Sequence, residues 1–96
     1  MELFVIARFH VRPGAAPQVE QAIGEVSAPT RAEPGCLDYH VFRATRDPQL
    51  LYIQSRWRDE AAFDAHAGLP DTVRFLARVA PLIDHPLDVT RTTMMF

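Results

Sequence analysis

Lysine is absent from this chain and cysteine occurs once: all ten basic residues are arginine, and Cys36 stands alone among 96 residues. A lone cysteine excludes an internal disulfide and a cysteine-based zinc cluster, and it fits a reducing cytoplasm. Coding bias explains the arginine-only set as well as function does. Neither sign of charge dominates, since ten basic against twelve acidic residues leave a formal charge of −2. That balance speaks against a surface built to neutralise nucleic-acid phosphates. No apolar run approaches the roughly 20 residues that span a bilayer, so no membrane partner is expected. The first ten residues carry Glu2 and Arg8 without a cationic lead, and read as a strand rather than an export signal. A Gly-rich phosphate loop, a Gly-x-Ser-x-Gly elbow and carboxylates paired on an apolar helix face are all missing.

What is present can build a core: 48% of residues are hydrophobic and 23% are charged. The length holds one domain, residues 1–96. A chain this short buries only roughly 60–70% of its unfolded surface, so pairing with a second copy would stabilise it.

Apolar Leu3, Val5, Ala7, Phe9 and Val11 alternate through residues 2–12, the period of a strand. The other parity begins apolar, with Phe4 and Ile6, and ends polar. Pro13-Gly14 breaks this strand, and Pro17 suits the first turn of a helix. Val19, Ala22, Ile23 and Val26 fall on one helical face, and Pro29 is expected to bend or end that helix. Residues 36–45 and 50–58 read as a hairpin closed by Thr45-Arg46-Asp47-Pro48, with Leu37, Tyr39 and Val41 on one face of its first strand. Leu51, Ile53, Ser55 and Trp57 share a face of the second. Asp59 suits an N-cap for a helix bearing Ala62, Phe63 and His66, closed by Gly68 and Pro70. A further helix over about 71–83 has Val73, Leu76, Ala77 and Ala80 on a stripe, and Leu87–Phe96 forms a last strand. The order is β-α-β-β-α-β, an α+β, ferredoxin-like antiparallel four-stranded sheet with helices on one face. Apolar residues on the other face then predict a homodimer packed sheet against sheet.

His66 lies on the inward side of its helix with Phe63, where an imidazole either exchanges protons or packs against a backbone carbonyl. Trp57 stands at a sheet-to-helix corner, where an indole stacks on a planar ligand or corks the core. Tyr39, Phe63 and Phe75 carry the same two readings. His10, His40 and Asp38 have ligand chemistry but no fixed register, and no metal site is expected. Cys36 reads as an inert thiol at a strand start.

The runs Glu33-Pro34-Gly35-Cys36-Leu37-Asp38-Tyr39, Asp47-Pro48, Trp57-Arg58-Asp59 and Ala62-Phe63-Asp64-Ala65-His66 resemble the antibiotic biosynthesis monooxygenase family in order and spacing. The resemblance implies a dimeric α/β barrel with a ligand cavity between sheet and helices. Family members include cofactor-free oxygenases of quinols and polycyclic phenols, haem degraders, an isomerase of a phosphorylated sugar, and proteins without an assigned reaction. It maps His66 onto the family's inward histidine, Trp57 onto its strand-end aromatic and Tyr39 onto the aromatic after the Pro-Gly-Cys turn. Ser55 stands where many members carry glutamate, and Ala7 where the haem-degrading branch carries asparagine. The implied activity is a monooxygenase without cofactor, acting on a small aromatic hydroquinone or phenol and dioxygen. His66 is then the catalytic residue, and Trp57, Tyr39, Phe63 and Phe75 form the substrate walls. An isomerase on the same scaffold and a non-enzymatic binding dimer remain alternatives.

Overall fold

Alternation in the first strand is fully expressed in the computed structural model, which describes residues 1–96. Strand β1 spans Leu3–His10, helix α1 Ala16–Arg31, strands β2 and β3 Cys36–Ala44 and Asp47–Trp57, and helices α2 and α3 Glu60–Ala67 and Pro70–Val79. A 3-10 turn, Ala80–Leu82, then leads to strand β4, Asp88–Thr92. The strands form one antiparallel sheet in the order β2-β3-β1-β4. This is the predicted ferredoxin-like arrangement, with its second helical segment divided in two.

The β1–β3 register sets Leu3 opposite Trp57, Val5 opposite Ser55, Ala7 opposite Ile53 and Phe9 opposite Leu51. This parity faces the helices, and all but Ala7 are buried. Helix α1 lays Val19, Ala22 and Ile23 on it, as the 3.6-residue spacing predicts. Helix α2 starts at Asp59, whose Oδ1 accepts from the Ala62 N–H at 2.8 Å.

Several local expectations fail for identifiable reasons. Of the two effects expected of Pro29, ending the helix is the one that fails: α1 runs on to Arg31. The carbonyl that the missing N–H would have served belongs to Glu25, an exposed residue, so no buried acceptor is orphaned by the proline. In β2, Cys36 pairs with Trp57 but Asp38 pairs with Arg56, so Leu37 is bulged out of register. The bulge turns Cys36 and Tyr39 to the same side and leaves Leu37 exposed, against the parity expected of it. The hairpin turn shrinks to Thr45-Arg46, because Asp47 already pairs with Ala44. Pro48 joins β3 where the register slips between Arg43 and Ala44, a gap that asks no ladder N–H of it. Helix α3 buries Phe75 and Val79 rather than Val73 and Leu76. The larger gain comes from seating Phe75 edge-on against Phe9, with ring centroids 6.1 Å apart at 78°. Strand β4 covers only Asp88–Thr92 of the predicted Leu87–Phe96.

The sheet face away from the helices carries Phe4, Ile6, Tyr52 and Phe42, with no layer of this chain covering them. Ile6 is 39% and Phe42 47% exposed. Beside them Arg56 bridges Glu2 and Asp38 at 3.0 and 2.9 Å.

Candidate functional site

Between the sheet and its helices lies a cavity of about 850 Å³. That is within the range of small-molecule sites. Its floor is the inward parity of the central strands, Val5 and Ala7 of β1 with Ile53 and Ser55 of β3. His66, Trp57, Tyr39, Phe63 and Phe75 all line it, so the five residues singled out from the sequence meet around one space. Exposed charged side chains, among them Glu25, Asp71, Arg74 and Arg78, form its rim. Glu25 of α1 pairs with Arg78 of α3 across that rim, and the guanidinium holds the Glu25 carboxyl below its ordinary value.

His66 is held on two sides. Its Nδ1 lies 2.8 Å from Glu33 Oε2, with both side chains less than one-fifth exposed. Its ring packs on Trp57 at 4.7 Å and Phe63 at 5.6 Å between centroids. A carboxylate at Nδ1 favours the tautomer that donates there, leaving Nε2 with a lone pair able to take a proton. The alternative reading, in which His66 packs against a backbone carbonyl, is not what the structure has.

Glu33 reaches this position because the turn after α1 is pinned. The Glu33 N–H donates to the Thr30 carbonyl at 3.1 Å, and the Cys36 N–H to the Glu33 carbonyl at 3.0 Å. Gly35 lets α2 approach: a Cβ there would lie 2.4 Å from Ala62 Cβ. The Arg58 N–H also donates to the Gly35 carbonyl at 2.9 Å. Sequence reasoning treated Glu33 only as part of a turn motif. A carboxylate beside Pro-Gly was the available signal, and its partner lay 33 residues away.

Trp57 is 1% exposed, and its indole N–H donates to Ser55 Oγ at 2.9 Å. Position 55 thus presents a hydroxyl that satisfies the indole. Phe63 has Arg91 of β4 over its face, 4.9 Å from centroid to guanidinium carbon, and Arg91 also bonds Asp64 at 2.7 Å. Arg91 lines the cavity and was not singled out from the sequence. Tyr39 is buried, and burial pushes its phenol above the ordinary 10.0 despite the nearby Ser27 hydroxyl and Arg31 charge. The phenol is therefore neutral at physiological pH. Arg31 donates Nε and Nη2 to the Tyr39 carbonyl at 3.1 and 3.0 Å, fixing the strand from which that ring projects. Burial and the Glu33 and Asp38 charges raise the Cys36 thiol, which keeps it protonated and unreactive.

His10 and His40 do not converge, because β3 separates their strands. His40 lies 3.9 Å from Asp38, whereas His10 meets Asp84 and His85.

The ferredoxin-like fold hosts many unrelated functions, so kinship rests on sequence as well as on shape. Rv0793 of Mycobacterium tuberculosis is 35% identical over 86 residues, covering 90% of this chain and 84% of that protein. Its solved structure superposes with a TM-score of 0.94 at 32% identity, covering 100% of this chain and 97% of that one. YcnE of Bacillus subtilis is 32% identical, covering 68% of each protein. The crystal structure of PA3566 from Pseudomonas aeruginosa, 29% identical, gives a TM-score of 0.91 over 99% of this chain and 95% of that one. The sequence model describing antibiotic biosynthesis monooxygenases matches residues 3–78, from β1 through most of α3. That span contains His66, Glu33 and every aromatic wall named above, and the chain belongs to the antibiotic biosynthesis monooxygenase family.

Proposed function

We propose that this chain is a cofactor-independent monooxygenase that oxidises a small aromatic hydroquinone or phenol with dioxygen. The observation that carries the reading is the carboxylate–imidazole pair, Glu33 Oε2 to His66 Nδ1 at 2.8 Å, at the edge of an aromatic-walled cavity of about 850 Å³. His66 takes the proton of a substrate hydroxyl on Nε2, and Glu33 stabilises the imidazolium that forms. The phenolate passes one electron to dioxygen. The radical pair recombines with a new ring C–O bond, and the proton returns from His66 to give a hydroperoxide. The C–H bond at that ring carbon and the O–O bond then break together, the ring proton and the departing hydroxide leaving as water. A phenol plus dioxygen thus becomes a quinone plus water, with all the reducing power drawn from the substrate.

Trp57, Tyr39, Phe63 and Phe75 hold the ring by stacking and exclude water, which fixes the reacting atoms near each other. Tyr39, neutral through burial, serves as a wall and not as a base. We further propose that the protein works in the reducing cytoplasm as a homodimer joined through the outer sheet face. The uncovered apolar Ile6 and Phe42 support that pairing.

An oxygen electrode with a panel of hydroquinones and phenols tests the activity. Wild-type protein should consume oxygen faster than the uncatalysed oxidation, and His66→Ala should lose roughly 10²–10⁴-fold of that rate. Equal rates for the two proteins overturn the reading. Turnover without oxygen uptake would point to the isomerase alternative, which would use the same proton-transfer pair.

A further inference from the structure

We propose a second site, distant from the cavity's catalytic pair: a divalent-cation site formed by His10, Asp84 and His85, suited to an ion of the zinc and nickel class. The three side chains come from two parts of the chain, the end of β1 and the segment between the 3-10 turn and β4. Their ligand atoms all lie within 4.8 Å of one another. Both imidazoles aim Nδ1 at Asp84 Oδ1, that of His85 at 2.8 Å, and the two rings pack 4.2 Å apart between centroids. Bonds of about 2.1 Å to a tetrahedral ion require ligand atoms about 3.4 Å apart, and the cluster's ligand atoms already lie within 4.8 Å of one another.

Main-chain bonds hold the two segments together independently of any ion. The Asp84 N–H donates to the His10 carbonyl at 3.0 Å, and the Arg12 N–H to the Leu82 carbonyl at 2.9 Å. Val11 forms a β-bridge with Ile83 between them. Arg12 donates its guanidinium Nε to the Pro81 carbonyl at 3.1 Å, and the partners of the Asp84 carboxylate are the two imidazoles. Two imidazoles and one carboxylate are borderline donors that select zinc, nickel or copper over magnesium and calcium. Three protein ligands leave at least one position for water. A bound ion would cross-link β1 to the segment that leads into β4, so metal binding and folding stability are linked.

The test uses untagged, chelator-treated protein titrated calorimetrically with Zn²⁺ and, separately, Mg²⁺. Wild type should bind one equivalent of Zn²⁺ and show a raised Tm, and Mg²⁺ should give no saturable signal. His85→Ala, at an exposed position, should bind at least tenfold more weakly and lose the Tm increment, as should His10→Ala. His40→Ala and His66→Ala should bind as wild type does. Absence of saturable Zn²⁺ binding overturns the proposal, as does wild-type affinity in His85→Ala or a loss confined to His66→Ala. None of these readouts depends on the oxygenase activity.

Discussion

Glu33 and His66 stand in a geometry that neither could hold alone: the carboxylate of a turn fixes the imidazole of a helix at 2.8 Å, both largely shielded from water. Glu33→Gln keeps an oxygen acceptor and removes the charge that stabilises a protonated ring. Steady-state kinetics on the best aromatic substrate should show kcat falling roughly tenfold to a hundredfold with KM nearly unchanged, a smaller loss than that of removing the imidazole. An unchanged kcat would take Glu33 out of the chemistry.

Gly35 is a spacer between the turn and α2. Since a Cβ at this position would lie 2.4 Å from Ala62 Cβ, Gly35→Ala should push α2 outward and lower both Tm and kcat. The obstructing atom belongs to a side chain, so adding Ala62→Gly should restore much of the activity, less the roughly 1 kcal/mol that glycine costs in a helix. Failure of the double variant to recover would mean that Gly35 acts through backbone freedom rather than through close approach.

Ser55 satisfies the buried indole of Trp57 at 2.9 Å. Ser55→Ala leaves that N–H without a partner and should destabilise the fold by about 1–3 kcal/mol in urea unfolding. A change below about 0.5 kcal/mol would show that water reaches the indole once the hydroxyl is gone.

Burial raises the Tyr39 phenol above its ordinary 10.0, so the folded chain holds this proton more tightly than the unfolded one. The corresponding stabilisation is full below pH 10 and disappears as the pH climbs through the folded-state value. In a Tyr52→Phe background, which leaves Tyr39 as the sole tyrosine, the ultraviolet titration should have its midpoint above 10.0 and coincide with loss of stability. A midpoint at or below that value contradicts the assignment.

The uncovered face bearing Ile6 and Phe42 predicts a dimer in sedimentation velocity. Ile6→Glu should convert it to monomer with the cavity lining unaltered, because Ile6 points away from the helices. A monomeric wild type, or an Ile6→Glu protein that stays dimeric, would move the interface elsewhere.

Much of the architecture was legible because it rests on periodicity. Leu3 to Val11 and Leu51 to Trp57 alternate, Val19, Ala22 and Ile23 share a helical face, and Asp59 caps where its chemistry suggests. Features that break periodicity were not legible. The bulge at Leu37 breaks the alternation at the start of β2 without changing its composition, and α3 carries two apolar stripes, of which packing against Phe9 favours the one with Phe75. The aromatic walls could be read because each sits on a patterned element. Glu33 could not, since its meeting with His66 depends on how closely Gly35 lets two distant segments approach. The neighbours of His10 were hidden likewise, because Asp84 and His85 are brought to it by main-chain bonds with no sequence signature.

Strand β1 lends Val5 and Ala7 to the cavity and Phe4 and Ile6 to the opposite side. Reshaping the ligand chamber and altering the uncovered outer face are therefore separable projects written on the same ribbon. Edits at odd positions tune what fits inside, and edits at even positions tune only what the outer face presents.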